Sequence, residues 1–151
     1  MHVIQGFLTL VARLAIAAIF LSSAVMNKIP QFNAVVEIMD AKGIPQPKIM
    51  LAGAIAFLIL GSLSLILGFW TRGGAFLLLV FLAAATYYFH AFWQLPAETP
   101  PETRMAEQIH FMKNLALMGG MLFILANGGG PWSLDARRRA GGQGPDAAEE
   151  A

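Results

Sequence analysis

Four α-helices crossing a lipid bilayer are what this 151-residue sequence predicts, and three observations carry the prediction. Charged residues make up 13% of the chain and hydrophobic ones 57%, whereas soluble domains carry roughly 25% charge. Residues 7–26, 49–70 and 74–93 each supply about the 20 apolar residues needed to span roughly 30 Å of hydrocarbon. A fourth stretch, 109–127, reaches that length once the polar residues at its start are included. The expected class is therefore all-α: an integral membrane four-helix bundle with a short amphipathic interfacial helix between the first and second spans. Residues 1–135 form one domain, and 136–151 are expected to be a disordered polar tail.

The first span carries one charge, Arg13. It reads as a retained span rather than a cleaved leader, because the charged region that opens a signal peptide is missing. In the link 27–48, Phe32, Val35, Val36 and Met39 recur at helical spacing opposite Asn33, Glu37 and Asp40. That is an amphipathic helix begun after Pro30, stopped by Gly43 and Pro45, and suited to lying in the interface. The second span, 49–70, holds no charge. Thr71-Arg72-Gly73 is expected as a tight hairpin into the third. Residues 94–108, with three prolines and three glutamates, read as a polar loop. The fourth span opens with His110, Lys113 and Asn114 and stops at Gly128-Gly129-Gly130-Pro131. Trp132 follows as an interface anchor. Ala18/Ser22, Ser64/Gly68 and Ala116/Gly120 are spaced to let helices approach closely.

Several chemistries are excluded. There is no cysteine, hence no disulfide, thiolate metal site or dithiol chemistry within this chain. Histidines 2, 90 and 110 lack the spacing of a good metal site, so no metal is expected. No phosphate-binding glycine loop or HExxH sequence occurs. The net charge of +1 offers no field for nucleic acid. The spans contain no Asp or Glu, which argues against a carboxylate proton relay.

Four spans put both termini and the 71–73 turn on one side, here the terminal side, and the 27–48 and 94–108 links on the other, the loop side. Lysine and arginine are balanced between the two sides, and Arg137–Arg139 near a span end favour cytoplasmic termini. The threading also brings polar residues together. Lys28 ends the first span at the loop side, Tyr87 and His90 lie toward the loop-side end of the third, and His110, Lys113 and Asn114 begin the fourth. These six form a candidate polar pocket in one membrane layer, with Lys113 and Asn114 expected as a buried pair. An ionisable group inside a span is a functional candidate by default. Each has a plainer alternative: Lys28 can snorkel, the histidines can be solvated and inert, and Tyr87, Tyr88 and Trp93 can form an aromatic belt. Arg13 is an intramembrane charge near the opposite surface, able to snorkel or to pair within the bundle.

These residues resemble a known family. Arg13 followed by Phe20 and Lys28, Leu67-Gly68-Phe69-Trp70-Thr71-Arg72, Phe111-Met112-Lys113-Asn114-Leu115-Ala116 and Gly130-Pro131-Trp132-Ser133-Leu134-Asp135 occur in the order seen in the DoxX family of small four-helix bacterial membrane proteins. The resemblance covers roughly residues 8–135. It implies a multi-pass protein of the bacterial cytoplasmic (inner) membrane, associated with oxidoreductase complexes. Many members carry an acidic residue in the second helix, which this chain lacks. Three functions follow as expectations. The first is a quinone-linked subunit, in which pocket donors bind quinone oxygens and a partner or bound cofactor carries electrons. The second is a non-enzymatic scaffold or accessory subunit, and the third a transporter of small molecules. The bilayer and other subunits of a redox complex are the expected partners.

Overall fold

The computed structural model describes residues 2–141, and every regular element in it is helical. α1 (His2–Ser22) continues into a wider π-helical segment, Ser23–Lys28. α2 (Phe32–Ala41), α3 (Pro47–Leu67), α4 (Thr71–Phe89), α5 (Pro101–Asn127) and α6 (Leu134–Gly141) follow. Four helical stretches are long and apolar enough to cross a membrane: Val3–Lys28, Pro47–Leu67, Thr71–Gln94 and Pro101–Asn127. The protein is thus the four-span membrane bundle expected from its hydropathy. α3 and α4 form the central pair, with α1 packed on α3 and α5 packed on α4.

α2 behaves as its periodicity requires. Val36 and Met39 are buried against Ile44 and Leu51, and Glu37 and Asp40 face outward. Its apolar face is spent on α3, so it caps one end of the bundle. The π segment has no counterpart in the expected elements. In an α-helix residues five apart point roughly 140° away from each other. The wider turn stacks them instead, and Lys28 Nζ donates to Ser23 Oγ at 2.7 Å.

The close approach of α3 and α4 falls at Gly61 and Gly74, and Ser64 of the expected Ser64/Gly68 pair takes part by packing on Gly74. A Cβ on Gly61 would come within 2.6 Å of Leu78 Cγ and 3.0 Å of the Gly74 carbonyl oxygen. Ala18, Ser22 and Ala116 are exposed instead of packed between helices.

Two helix starts differ from expectation. Thr71-Arg72-Gly73 is the first turn of α4, and the reversal is made by Phe69 between Gly68 and Trp70, both left-handed at φ 65° and 49°. α5 begins inside the expected polar loop, because Pro101 needs no N–H donor in a first helical turn and Glu102 complements that turn's dipole. The expected unstructured tail also begins inside a helix. Ser133 Oγ accepts the Ala136 N–H at 3.1 Å, the capping bond that starts α6. Residues 142–151 lie outside the described residues.

Asp135, in the first turn of α6, fastens the terminal side. One carboxylate oxygen accepts the Trp70 N–H at 2.8 Å, and the other accepts the Thr71 N–H at 2.9 Å and the Thr71 hydroxyl at 2.7 Å. These are the orphan donors of α4, satisfied by a residue 64 positions away. In return the Asp135 N–H donates to the Gly68 carbonyl at 2.9 Å. Burial pushes the Asp135 carboxyl up, but the hydrogen bonds from Thr71 and Trp70 and the Arg139 charge outweigh it, holding it below its ordinary range. The left-handed Trp70, costly for a residue with a Cβ, is held where this carboxylate grips its N–H.

Two outcomes are expected in detergent. Gly61→Val forces α3 and α4 apart and should destabilise by about 1–3 kcal/mol, read as a lowered thermal midpoint. Asp135→Ala should cost about 1–3 kcal/mol at neutral pH. Because the folded carboxyl titrates low, its stabilisation is present above the ordinary carboxylate value near ~4 and is lost as pH falls below it. The wild-type advantage over Asp135→Ala should therefore shrink on acidification; a constant gap from pH 7 to pH 3 would show that the charge contributes nothing.

Candidate functional site

At the loop side, a cavity of about 440 Å³ opens among the π segment, α2, α3 and α4. Its walls are apolar, including Met39, Leu51, Ala54 and Phe81, and its polar fringe is Asn27, Lys28, Tyr88 and His90. The Lys28 ammonium lies 5.3 Å above the Phe81 ring centre, a cation–π contact, and donates to Ser23. Among the described residues no carboxylate lies within ion-pairing distance of Lys28.

His90 belongs to two arrangements. It lines the cavity, and its Nδ1 lies 2.7 Å from the Glu107 carboxylate on α5. Its ring sits 5.0 Å from the His110 ring, and His110 Nδ1 lies 3.3 Å from Lys113 Nζ. Glu107, His110 and Lys113 thus follow one stripe of α5 at i, i+3 and i+6, beginning beside the cavity. His110 and Lys113 are exposed and take no part in its wall.

The six expected pocket residues therefore separate. Lys28 and His90 share the cavity, while His110 and Lys113 continue the stripe from His90. Asn114 is buried between helices, donating from Nδ2 to Thr86 Oγ1 at 2.9 Å, and Thr86 donates onward to the Leu82 carbonyl at 2.6 Å. Such a bond between membrane helices contributes about 0.6–2 kcal/mol, so Asn114 reads as a clamp between α4 and α5. Tyr87 is 60% exposed and meets Tyr88 edge-on, outside the cavity. The expected burial of the pair holds for Asn114 alone. Consecutive helix positions point roughly 100° apart, so burying Asn114 against α4 turns Lys113 outward.

Three participants were missed. Tyr88, which fits an aromatic belt by position, lines the cavity, and Ser23 meets Lys28 only through the π turn. Glu107, expected in a polar loop, lies on α5; its position three before His110 is the available signal, visible only once the helix is started at Pro101. No group of three or more His, Asp or Glu side chains converges as a metal cage among the described residues.

Arg13, at the opposite end, does not snorkel. It is 1% exposed, covered by the segment that follows α5. Its NH2 donates to the Trp132 carbonyl at 3.1 Å, and its NH1 occupies the space a side chain at Gly68 would need. Among the described residues no carboxylate forms a direct ion pair with Arg13. Trp132 packs across Gly6, where a Cβ would come within 2.6 Å of the indole. Arg13, Gly68, Thr71, Trp132, Ser133 and Asp135, scattered over three of the recognised sequence stretches, are here one assembly.

Comparison with known proteins is consistent with this architecture. The chain is 28% identical over 130 residues to the inner membrane protein YphA of Escherichia coli, covering 86% of this chain and 89% of that protein. It is 30% identical over 129 residues to the inner membrane protein YqjF of the same organism, covering 83% and 88%. A shorter match, 28% over 74 residues, joins half of this chain to 24% of a Surfeit locus protein 4 homolog of Schizosaccharomyces pombe. No solved structure matches the chain significantly. The DoxX family model matches residues 8–91, from α1 into the turn after α4, ending short of the 8–135 suggested by the sequence motifs. With more than half its length inside that match, the chain belongs to the DoxX family.

Proposed function

We propose that the protein is a quinone-linked subunit of an oxidoreductase complex in the bacterial inner membrane, and that the loop-side cavity receives the quinone headgroup. One observation carries this reading: an ammonium group with no carboxylate partner among the described residues lines an apolar cavity, against an aromatic ring. A cation so placed favours a ligand with an acceptor oxygen and a flat apolar body. The cavity volume of about 440 Å³ is within the roughly 300–1,000 Å³ of small-molecule sites. Its donors also suit the ligand: Lys28 can bond one carbonyl oxygen, with Asn27, Tyr88 and His90 along the same wall.

A quinone bound here supplies two-electron, two-proton chemistry. The chain contributes position and protons. Lys28 holds an acceptor oxygen and stabilises negative charge on it. His90, hydrogen-bonded to Glu107, sits where a proton can pass between the cavity and the α5 stripe. Electrons are exchanged with a partner subunit or its cofactor. Both termini are assigned to the cytoplasm: Lys28 points into the cavity, which leaves Lys42, Lys48 and Arg104 on the loop side against Arg72 and Arg137–Arg139 on the terminal side.

The test is gentle purification followed by quinone extraction from wild type, Lys28→Ala and Lys113→Ala. Wild type should retain quinone, and Lys113→Ala should match it. Lys28→Ala should bind about tenfold or more weakly, the loss of one charge-assisted hydrogen bond worth about 1.5–3 kcal/mol. Folded wild type without quinone, or Lys28→Ala with undiminished quinone, overturns the proposal.

A further inference from the structure

On the terminal side a second cavity, about 970 Å³, opens between α1 and α5, which pack on α3 and α4 and not closely on each other. It is the open seam of the bundle. Both walls carry the spacing of a helix-packing stripe. On α5, Gly120, Phe123 and Asn127 line the groove, and the same alternation of three and four continues loopward through Ala116 to Lys113. None of these five is buried in the bundle. On α1 the groove is lined by Gln5, Thr9, Ala12 and Ile16, again four, three and four apart. A seven-residue repeat of this kind is the pattern with which one helix receives another. Ala12 and Gly120 are small enough to admit a third helix closely; a Cβ on Gly120 would meet only Ile16 Cδ1, at 3.5 Å.

The stripe also carries a charge. Lys113 is exposed, and α5 rises 1.5 Å per residue, which puts it about 21 Å from the Asn127 end. That is about 9 Å short of the far edge of a hydrocarbon layer roughly 30 Å thick. The bond from the adjacent Asn114 to Thr86 sets the same level on α4, inside that helix's span. Lys113 Nζ lies 3.3 Å from His110 Nδ1, a neutral or cationic neighbour, and no carboxylate is within ion-pairing distance among the described residues. An ammonium turned out of a bundle at this depth is costly unless another charge answers it. A second copy of this chain does not supply that charge. The first three spans contain no Asp or Glu, and α5 has none beyond Glu107, nearer the loop side. A lipid acyl chain would fill the groove and leave the ammonium unanswered.

We propose that the α1/α5 seam receives a transmembrane helix of a different protein, carrying an Asp or Glu at the level of Lys113. The carboxylate pairs with Lys113, the body of the helix packs over Ala12 and Gly120, and Gln5, Thr9 and Asn127 offer hydrogen bonds toward the terminal side. This deepens the reading of the chain as one subunit of a complex by naming where a partner docks, and it rests on that reading for the partner's existence.

The test uses the full chain, fluorescently labelled, in phosphatidylcholine vesicles with synthetic Leu/Ala transmembrane peptides. One peptide carries a single Glu about 9 Å inside one end of its apolar stretch, the other Gln at the same position. Energy transfer should show the Glu peptide binding wild type at least about tenfold more tightly than the Gln peptide. Lys113→Gln, at an exposed position, should keep the wild-type melting midpoint and bind the two peptides equally. Gly120→Leu, which raises the floor of the seam and leaves Lys113 in place, should weaken the Glu peptide at least tenfold. Equal binding of the two peptides by wild type overturns the proposal, as does an undiminished Glu preference in Lys113→Gln or full Glu-peptide binding by Gly120→Leu. A dimer of the chain alone that Gly120→Leu dissociates would make a second copy the occupant and also overturn it. Association is read without quinone, so its failure and the failure of the quinone reading are separate results.

Discussion

The grip of the Asp135 carboxylate on the first turn of α4 organises the terminal half of the molecule. It satisfies backbone donors that no local side chain reaches, since Trp70 stands where a capping residue would. It also pulls the chain beyond α5 back over the bundle, which lays the Trp132 carbonyl on Arg13. Gly68 and Gly129 leave room for the guanidinium between the α3–α4 turn and this returning segment. Ion pairing in the usual sense is absent: carboxylate and guanidinium are neighbours, each committed to backbone. The assembly is held by backbone donors and acceptors of segments far apart in sequence, which ties the helix ends to one another.

The spans were legible because apolar length is a property of the sequence alone. Their boundaries were less so. Prolines and glutamates in 94–108 suggested a loop, yet Pro101 followed by Glu102 is also a helix start, and composition does not distinguish the two. Rotation of each helix was harder still. Spacing placed Lys113 with His110 and Asn114 on one face, but a face broad enough to hold all three is wider than the contact with α4, and only Asn114 entered it. The wide π turn, which sets the direction of Lys28, left no trace in hydropathy. Arg13 was recognisable as an intramembrane charge; its cover was not, because Trp132 lies 119 residues away.

The two ends of the bundle use polar groups in opposite ways. On the terminal side, Asp135 and Thr71 are locked into short hydrogen bonds. On the loop side, Lys28 has a single hydroxyl partner, and His90, Glu107, His110 and Lys113 run outward from it. Between the ends lies a core of Leu58, Leu65, Leu78 and Met121, all fully buried, that separates them with hydrocarbon. The loop-side cavity is therefore fringed by polar side chains with few partners, set on a closely packed apolar frame.

The burial of Arg13 beneath residues made more than a hundred positions later has a consequence for biogenesis. At roughly 5–20 residues per second, the Trp132 carbonyl emerges on the order of ten seconds after Arg13. Throughout that interval α1 must hold its place in the bilayer with an uncovered guanidinium, whose cost is below the roughly 2.5–3.5 kcal/mol of a helix-centre position because Arg13 lies toward one end of the span. The apolar length of Val3–Lys28 has to suffice by itself. A chain cut before Trp132 would keep all four spans and lose this fastening, so the segment after α5 completes tertiary assembly rather than topology.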